Sequence, residues 1–274
     1  MDLCELLGVA RSGYYAWSQG EPGKQAKMNE ELSQMIAEIF AQNKGRYGSP
    51  RVTDALRQRG YACNHKRVER IMRDQGLRGR ARKRWKPRTT DSRHAQPIAP
   101  NLLLERAAPQ EPNEVWVEDI TYLPTAEGWL YLAGVLDLFS RRIVGWSMQE
   151  TLETSLPLAA LNMALAQRGH PKNVIHHSDR GCQYASLSYR QVLAENGLIA
   201  SMSRKANCYD NATMESFWST LKTELQDERL DRLPKAAVRQ LVFEYIEAYY
   251  NRVRLHSSLG SKSPVDFELT KTNK

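Results

Sequence analysis

Residues 115–148 read VWVEDITYLPTAEGWLYLAGVLDLFSRRIVGWSM, and three runs within them share one chemistry. Val115–Leu123, Leu130–Leu138 and Ile143–Met148 are rich in Val, Ile, Leu, Trp and Tyr, the side chains that suit a pleated, half-buried surface. Gly128 punctuates the first link and Ser140-Arg141 the second. Links this short between consecutive strands predict an antiparallel meander.

Toward the C-terminus the period changes. The pattern predicts a helix over 154–168, a strand over Asn173–His177, a helix over 187–196 and a strand over Ile199–Ser203. Helices over 211–227 and 234–252 follow. The order βββαβαβα is that of a ribonuclease-H-like core, an α/β fold with a mixed five-stranded sheet and helices.

Three acidic residues fall at special places in this order. Asp119 lies inside the first strand, and Asp179 follows the fourth strand in HHSDRGCQYAS, where polar residues end an apolar run. Glu215 lies one turn into the helix opening YDNATMESFWSTLKTEL. There Met214, Phe217, Leu221 and Leu225 make the buried stripe, with Glu215 and Lys222 on one flank beside it. Cleaving or transferring a phosphodiester calls for stabilising the attacking and leaving oxygens together. Two Mg²⁺ ions, with Mn²⁺ as a substitute, do so when hard carboxylate ligands leave positions open. Asp119, Asp179 and Glu215 are thus the candidate catalytic and metal-holding residues. Lys222 is a candidate for the DNA phosphate, with Arg204, Asn207 and Asn211 beside it. Asp137 is a rival ligand that can instead cap its turn or pair with Arg141 or Arg142. His176 and His177 read either as supports of the metal site or as structural histidines.

The N-terminal third has a different character. Residues 1–100 hold 20 Lys/Arg against 10 Asp/Glu, whereas residues 101–274 hold 19 against 21. Segregated charge of this kind points to a polyanion partner, a solubilising basic tail being the plainer alternative. LCELLGVARSGYYAW (3–17) reads as the last two helices of a helix-turn-helix, with Gly8 at the turn and a first helix expected before Met1. Met28 to Asn43 sets Met28, Leu32, Met35, Ile36, Ile39 and Phe40 on one helical face. Ser49 before Pro50 reads as a helix start, Asn64 as the next cap, and Gly60 and Gly76 as stops. Three short helices with glycine turns make a compact DNA-binding unit. Lys66 to Arg88 carries eleven Lys/Arg. Lys66, Arg67, Arg70 and Arg73 are expected on the exposed side of the last helix, and Arg82, Lys83 and Arg84 in a basic arm; both sets are candidates for phosphate contact. The expected domains are a partial helix-turn-helix over 1–27, a helical DNA-binding domain with its arm over 28–88, a linker over 89–112, the catalytic core over 113–227 and a helical extension over 228–274.

Cys4, Cys63, Cys182 and Cys208 form no C-x-x-C pair, which argues against a zinc knuckle or a disulfide framework. No apolar run approaches the ~18 residues of a membrane span and no export signal opens the chain, so the expected location is the cytoplasm, with the nucleoid.

The words WVEDITYL, VLDLFSRRIVGWSM, HHSDRGCQYAS, SRKANCYDNATMESFWSTLKTEL and YYNRVRLHSSLGSKSPVDFE, in that order, resemble the integrase-type transposases of the family named after insertion sequence three, in the product of its second reading frame. RYGSPRVTDALRQRGYACNHKRVERIMRDQGL is similar to that family's helical DNA-binding domain, so the resemblance spans nearly the whole chain. It implies a retroviral-integrase-like fold and an Asp, Asp, Glu triad with 35 residues between the last two. Asp179 and Glu215 have that interval, Asp119 takes the first place, and Lys222 matches the basic residue expected seven positions after Glu215. It implies DNA partners (the element's terminal inverted repeats and a target), a homo-oligomer to pair two ends, and fusion or association with an upstream helix-turn-helix product. One departure is Glu118, where the family usually has a small or hydroxyl residue. In a strand Glu118 faces away from Asp119; if that face is buried, an unpaired carboxylate would cost several kcal/mol or rise in pKa. Two other readings share these features: a non-catalytic DNA-binding regulator, and a structure-specific nuclease on the same core.

Overall fold

A computed structural model describes residues 3–19, 24–80, 96–104, 106–204 and 212–272. The chain divides into two compact units, Met1–Arg80 and Ala81–Lys274.

In the first unit, α1 (Leu3–Leu6) and α2 (Arg11–Gln19) flank a turn where Gly8 takes a left-handed φ of 65°. Then come α3 (Lys24–Gln42), α4 (Ser49–Gln58) and α5 (His65–Asp74). Leu32, Ile36 and Ile39 of α3 bury with Val52 and Leu56 of α4 and Val68, Ile71 and Met72 of α5. Met28 and Met35 do not bury fully; Met28 is exposed. The start of α4 differs from expectation. Gly48 occupies the cap and Ser49 is already helical, its hydroxyl pairing with His65 Nε2 at 3.0 Å. Asn64 does cap α5, its side chain accepting from Lys66 N at 2.9 Å.

The second unit is built on β1 (Val115–Thr125), β2 (Gly128–Asp137) and β3 (Ile143–Gln149), which pair antiparallel. α6 (Ser155–Arg168) crosses back to β4 (Ile175–Ser178), and α7 (Cys182–Ala185) with α8 (Leu187–Glu195) leads to β5 (Ile199–Met202). β4 pairs parallel with β1, and β5 with β4, so the strand order is β3-β2-β1-β4-β5. Alternation along β1 sends Trp116 to one face and Val115 and Val117 to the other. Trp116, Val135 and Val144 pack under α6 and α8, with Leu161, Leu165 and Tyr189. Close approach there depends on Gly145, where a Cβ would lie 2.2 Å from the Ala160 carbonyl oxygen.

The opposite face is covered by α9 (Ala212–Glu224) and α10 (Lys235–Phe243), which runs on as π-helical turns over Glu244–Tyr250. A last helix, α11 (Pro264–Thr272), has no counterpart in the sequence pattern. It is fastened by charge: Glu268 meets Arg142 at 2.9 Å and also pairs with Arg168. Asn251 acts as a substitute strand, since its amide accepts from Ile143 N and donates to Ile143 O, each at 3.0 Å. Among the described residues no helix is long and apolar enough to cross a membrane.

One ion pair is sealed beneath α9. Arg254 and Glu224 meet at 2.9 Å with both side chains buried, and the Tyr245 hydroxyl donates to Glu224 Oε2 at 3.0 Å. Removing one partner strands the other charge away from water. Glu224→Ala is therefore expected to destabilise the fold by ~3–5 kcal/mol in a denaturant titration, and a loss below ~1 kcal/mol would show that water reaches Arg254.

Candidate active site

The site forms along one edge of β1. β1 meets β4 only through Val115–Val117, so beyond Val117 no strand covers that edge. Asp119 sits just past this point, half-buried and opposite Gly134 of β2. The missing side chain at Gly134 lets the Trp218 indole of α9 lie against the sheet, since a Cβ there would be 2.9 Å from Trp218 Cη2. From this seat Trp218 Nε1 donates to Asp119 Oδ2 at 3.1 Å. One glycine thus fixes the helix, the indole and the carboxylate together.

Asp179 follows β4 by one residue and is held by its own turn, Oδ1 accepting from Gly181 N at 2.8 Å. Asp119 and Asp179 line one cavity of about 220 Å³ together with Tyr122, Tyr131, Leu152 and Tyr184. Glu215 projects from the first turn of α9 and is exposed. Burial pushes the Asp119 carboxyl well up from the usual range, and the negative charges of Asp179 and Glu215 push it further; Trp218 and the Ile120 amide oppose the shift. The three carboxylates therefore share an electrostatic neighbourhood. Among the described residues, however, no three His, Cys, Asp or Glu side chains are drawn close enough to hold one ion.

The sheet's reverse face answers the question raised by Glu118. Its side chain is 0 % exposed, but it is paired: Oε2 lies 2.9 Å from His176 Nε2 of β4 and accepts from the Tyr189 hydroxyl of α8. Burial raises the Glu118 pKa, opposed by His176 and Tyr189. The contact ties β1 to β4 immediately behind Asp119. His177 faces Ser201 Oγ of β5 at 2.8 Å. Both histidines are held in structural pairs.

Comparison with known proteins assigns the family. Residues 27–85 match an HTH-like domain, and residues 109–208 and 196–264 match two models of the integrase core domain. A 31 kDa uncharacterised protein of insertion element IS600 from Shigella sonnei is 44% identical over 266 residues, covering 97% of both chains. Transposase InsF of insertion sequence IS3A from Escherichia coli strain K12 is 44% identical over 269 residues, 97% of this chain and 92% of its own. The chain belongs to the IS3 transposase family. Its fold is also that of a chain in the simian T-cell lymphotropic virus intasome solved with PP2A regulatory subunit B56 gamma, with a TM-score of 0.50 and 16% identity over 85% of this chain and 74% of that one.

The transposase brings some of the sequence-derived candidates together and not others. Lys222 lies on α9 near Asp119, with its Nζ 5.1 Å from the centre of the Tyr122 ring. On α5, Lys66, Arg70 and Arg73 are exposed. Arg67 is not: it is half-buried, and its Nε donates to Asn29 Oδ1 of α3 at 2.9 Å, so its guanidinium braces one helix on another. Asp137 is a turn cap, as one of its two readings had it. Oδ1 accepts from Phe139 N at 3.0 Å and Oδ2 from Asn113 N at 2.8 Å. Its cation is Arg168, at 3.7 Å, rather than Arg141 or Arg142. Arg204 is exposed just beyond β5. Arg82, Lys83, Arg84, Asn207 and Asn211 lie outside the described residues. Sequence reasoning missed Trp218 and Gly134. The sequence analysis singled out neither, and only the packing of α9 against β2 gives them a role.

Lys222 supplies a test that does not depend on activity. Burial lowers its pKa to about 8, with Asp119 opposing the shift. That is below the ~10.4 of an unfolded lysine, so between these limits the unfolded chain binds more protons. The resulting penalty on stability is full below about pH 8 and fades as pH rises through the window. Lys222→Met is expected to raise the thermal midpoint at pH 7 by roughly 2–4 °C, corresponding to ~1 kcal/mol for a half-buried group. The gain should shrink by ~pH 10.5. A midpoint that falls at pH 7 would mean that the ammonium is stabilising where it stands.

Proposed function

We propose that this transposase cleaves a phosphodiester at the end of its element and joins the resulting 3′-hydroxyl to target DNA, using Asp119, Asp179 and Glu215 as the metal-holding residues. The observation that carries the reading is that Asp119 and Asp179 line one cavity at the uncovered edge of β1, with Glu215 near enough on α9 for its charge to reach Asp119. Carboxylates gathered at one open edge suit a divalent cation, and the donors are the hard oxygens that Mg²⁺ prefers. When bound, two Mg²⁺ ions, with Mn²⁺ as a substitute, would supply the charge that stabilises the attacking and leaving oxygens of an in-line displacement.

The chain's own groups do the rest. The Trp218 indole holds the Asp119 carboxylate in one orientation, and the turn at Gly181 holds Asp179. Lys222 offers a cation to a phosphate beside them. Water is the nucleophile in cleavage and the freed 3′-hydroxyl in joining, so no protein nucleophile and no covalent protein–DNA intermediate is required. The basic face of α5, formed by Lys66, Arg70 and Arg73, takes the DNA backbone, with the arm at Arg82, Lys83 and Arg84 as its extension. Pairing of two ends by a homo-oligomer, association with an upstream helix-turn-helix product, and a domain plan with a DNA-binding unit over 28–88 and a core over 113–227 belong to the same proposal.

Three experiments test it. Asp119→Asn and Glu215→Gln are each expected to abolish end cleavage and joining. In the wild type, Mg²⁺ should raise the melting temperature, and that response should vanish in Asp119→Asn. Joining at wild-type rates by Glu215→Gln would remove Glu215 from the site, and hydrolysis without joining would favour the nuclease reading. For the DNA-binding unit, Arg70→Ala with Arg73→Ala should flatten the dependence of log K on log salt by roughly 0.9 for each arginine–phosphate pairing removed, about 2 in all. An unchanged slope would move the phosphate contacts off α5.

A further inference from the structure

The outer part of the β1–β2 hairpin carries an aromatic group that the chemistry above does not use. Trp129 is 49% exposed, although tryptophan is a costly side chain to leave in water. It stands edge-on to Tyr122, with ring centroids 4.9 Å apart and planes at 83°. Tyr122 is directly opposite Tyr131 in the ladder, and Trp129 is the diagonal neighbour on the same face. Lys222 completes the group, with Nζ 5.1 Å from the Tyr122 ring centre. These rings are not an isolated surface patch. Tyr122 and Tyr131 line the same cavity as Asp119 and Asp179. Tyr122 is three residues along β1 from Asp119, so by alternation it starts from the other face of the sheet, and the two side chains share a cavity at the uncovered edge of β1.

We infer that Tyr122, Trp129 and Lys222 form a stacking platform for an unpaired nucleotide of the DNA strand whose phosphodiester lies at the carboxylates. Ring faces with a cation beside them are what proteins offer to single-stranded nucleic acid, the base stacking on the ring and the phosphate meeting the charge. A base inside a duplex has both faces covered, so such a platform can act only on a nucleotide taken out of the stack. A hydrophobic protein partner would not need the platform to run into an acidic cavity or to carry a lysine; a nucleotide needs both the ring and the cation. The inference rests on the proposed role of the carboxylates for its choice of strand.

The test uses the full chain and two synthetic DNA duplexes of equal length and arbitrary sequence. One is blunt, and the other ends in a three-nucleotide single-stranded fork carrying 2-aminopurine. The wild type should bind the forked duplex more tightly and quench the 2-aminopurine. Trp129→Ala should erase about tenfold of that preference, within the range for loss of one base–aromatic stack, and should restore the fluorescence. Trp129→Phe should keep both, and Trp129→Ala should melt at the wild-type temperature. Equal fork preference and equal quenching in Trp129→Ala and wild type would overturn the platform. So would a change in the oligomeric state of the DNA-free protein on Trp129→Ala, since that would make this face a contact between copies of the chain. The carboxylate reading fails separately: Asp119→Asn that still cleaves would sink it, and fork preference retained by that variant would leave the platform standing.

Discussion

The seat of the Trp218 indole against Gly134 is the contact on which the rest of the active edge depends. It is where α9, arriving from a distant part of the chain, meets the strands that carry Asp119, and it works by both shape and hydrogen bonding. The flat ring needs a sheet position without a Cβ, which Gly134 provides. The ring's single donor then has one carboxylate oxygen within reach. Because Glu215 and Lys222 lie on the same helix, fixing Trp218 places both relative to Asp119 with no further device. Glu215 precedes Trp218 by one turn and Lys222 follows it by one.

Holding like charges together has an electrostatic cost that the surrounding fold must offset. Asp119 meets two other negative groups, and its neighbours give it only an indole N–H, a backbone N–H and the reach of Lys222 in return. Behind the sheet, the strands that carry the two aspartates are joined by a buried contact. Glu118, next to Asp119 in sequence and opposite in direction, pairs with His176 of β4 and Tyr189 of α8. β1 and β4 share only three residue pairs, so this buried contact adds cross-strand attachment where the ladder is shortest. The acidic residue that looked like a departure from the family pattern therefore fastens together the two strands that deliver Asp119 and Asp179.

The sheet was legible in the sequence because its strands announce themselves by β-branched and aromatic runs, and the meander because its links are too short for any other connection. The two aspartates and Glu215 were legible through position in that order and through the resemblance. What escaped had a common cause: it depends on which element packs on which. The capping role of Ser49 failed because His65, sixteen residues later, takes its hydroxyl. Arg67 read as solvent-facing from helical periodicity alone, but the face of α5 next to it is covered by α3, and Asn29 captures the guanidinium. The final helix α11 carries too few apolar residues to show a period, because Glu268 secures it through Arg142 and Arg168. Trp218 and Gly134 carry no sequence signal of their role, because it arises only where α9 packs on β2.

The division of charge along the chain follows from the same chemistry. A unit whose edge gathers carboxylates repels a phosphate backbone, and the proposed reading accordingly gives the main affinity for DNA to the basic unit. The first 100 residues carry an excess of ten positive charges while the remainder is slightly negative. Binding through the basic unit raises the local concentration of DNA at the acidic one through the covalent connection alone, without any new contact at the carboxylates. Affinity and chemistry can then be set independently. On the proposed reading, basic residues on α5 set how strongly DNA is held and how salt weakens it, and the carboxylate edge orients a phosphodiester already nearby. Lys222, half-buried on α9 with its ammonium over the Tyr122 ring, is placed for a short-range contact rather than for long-range attraction.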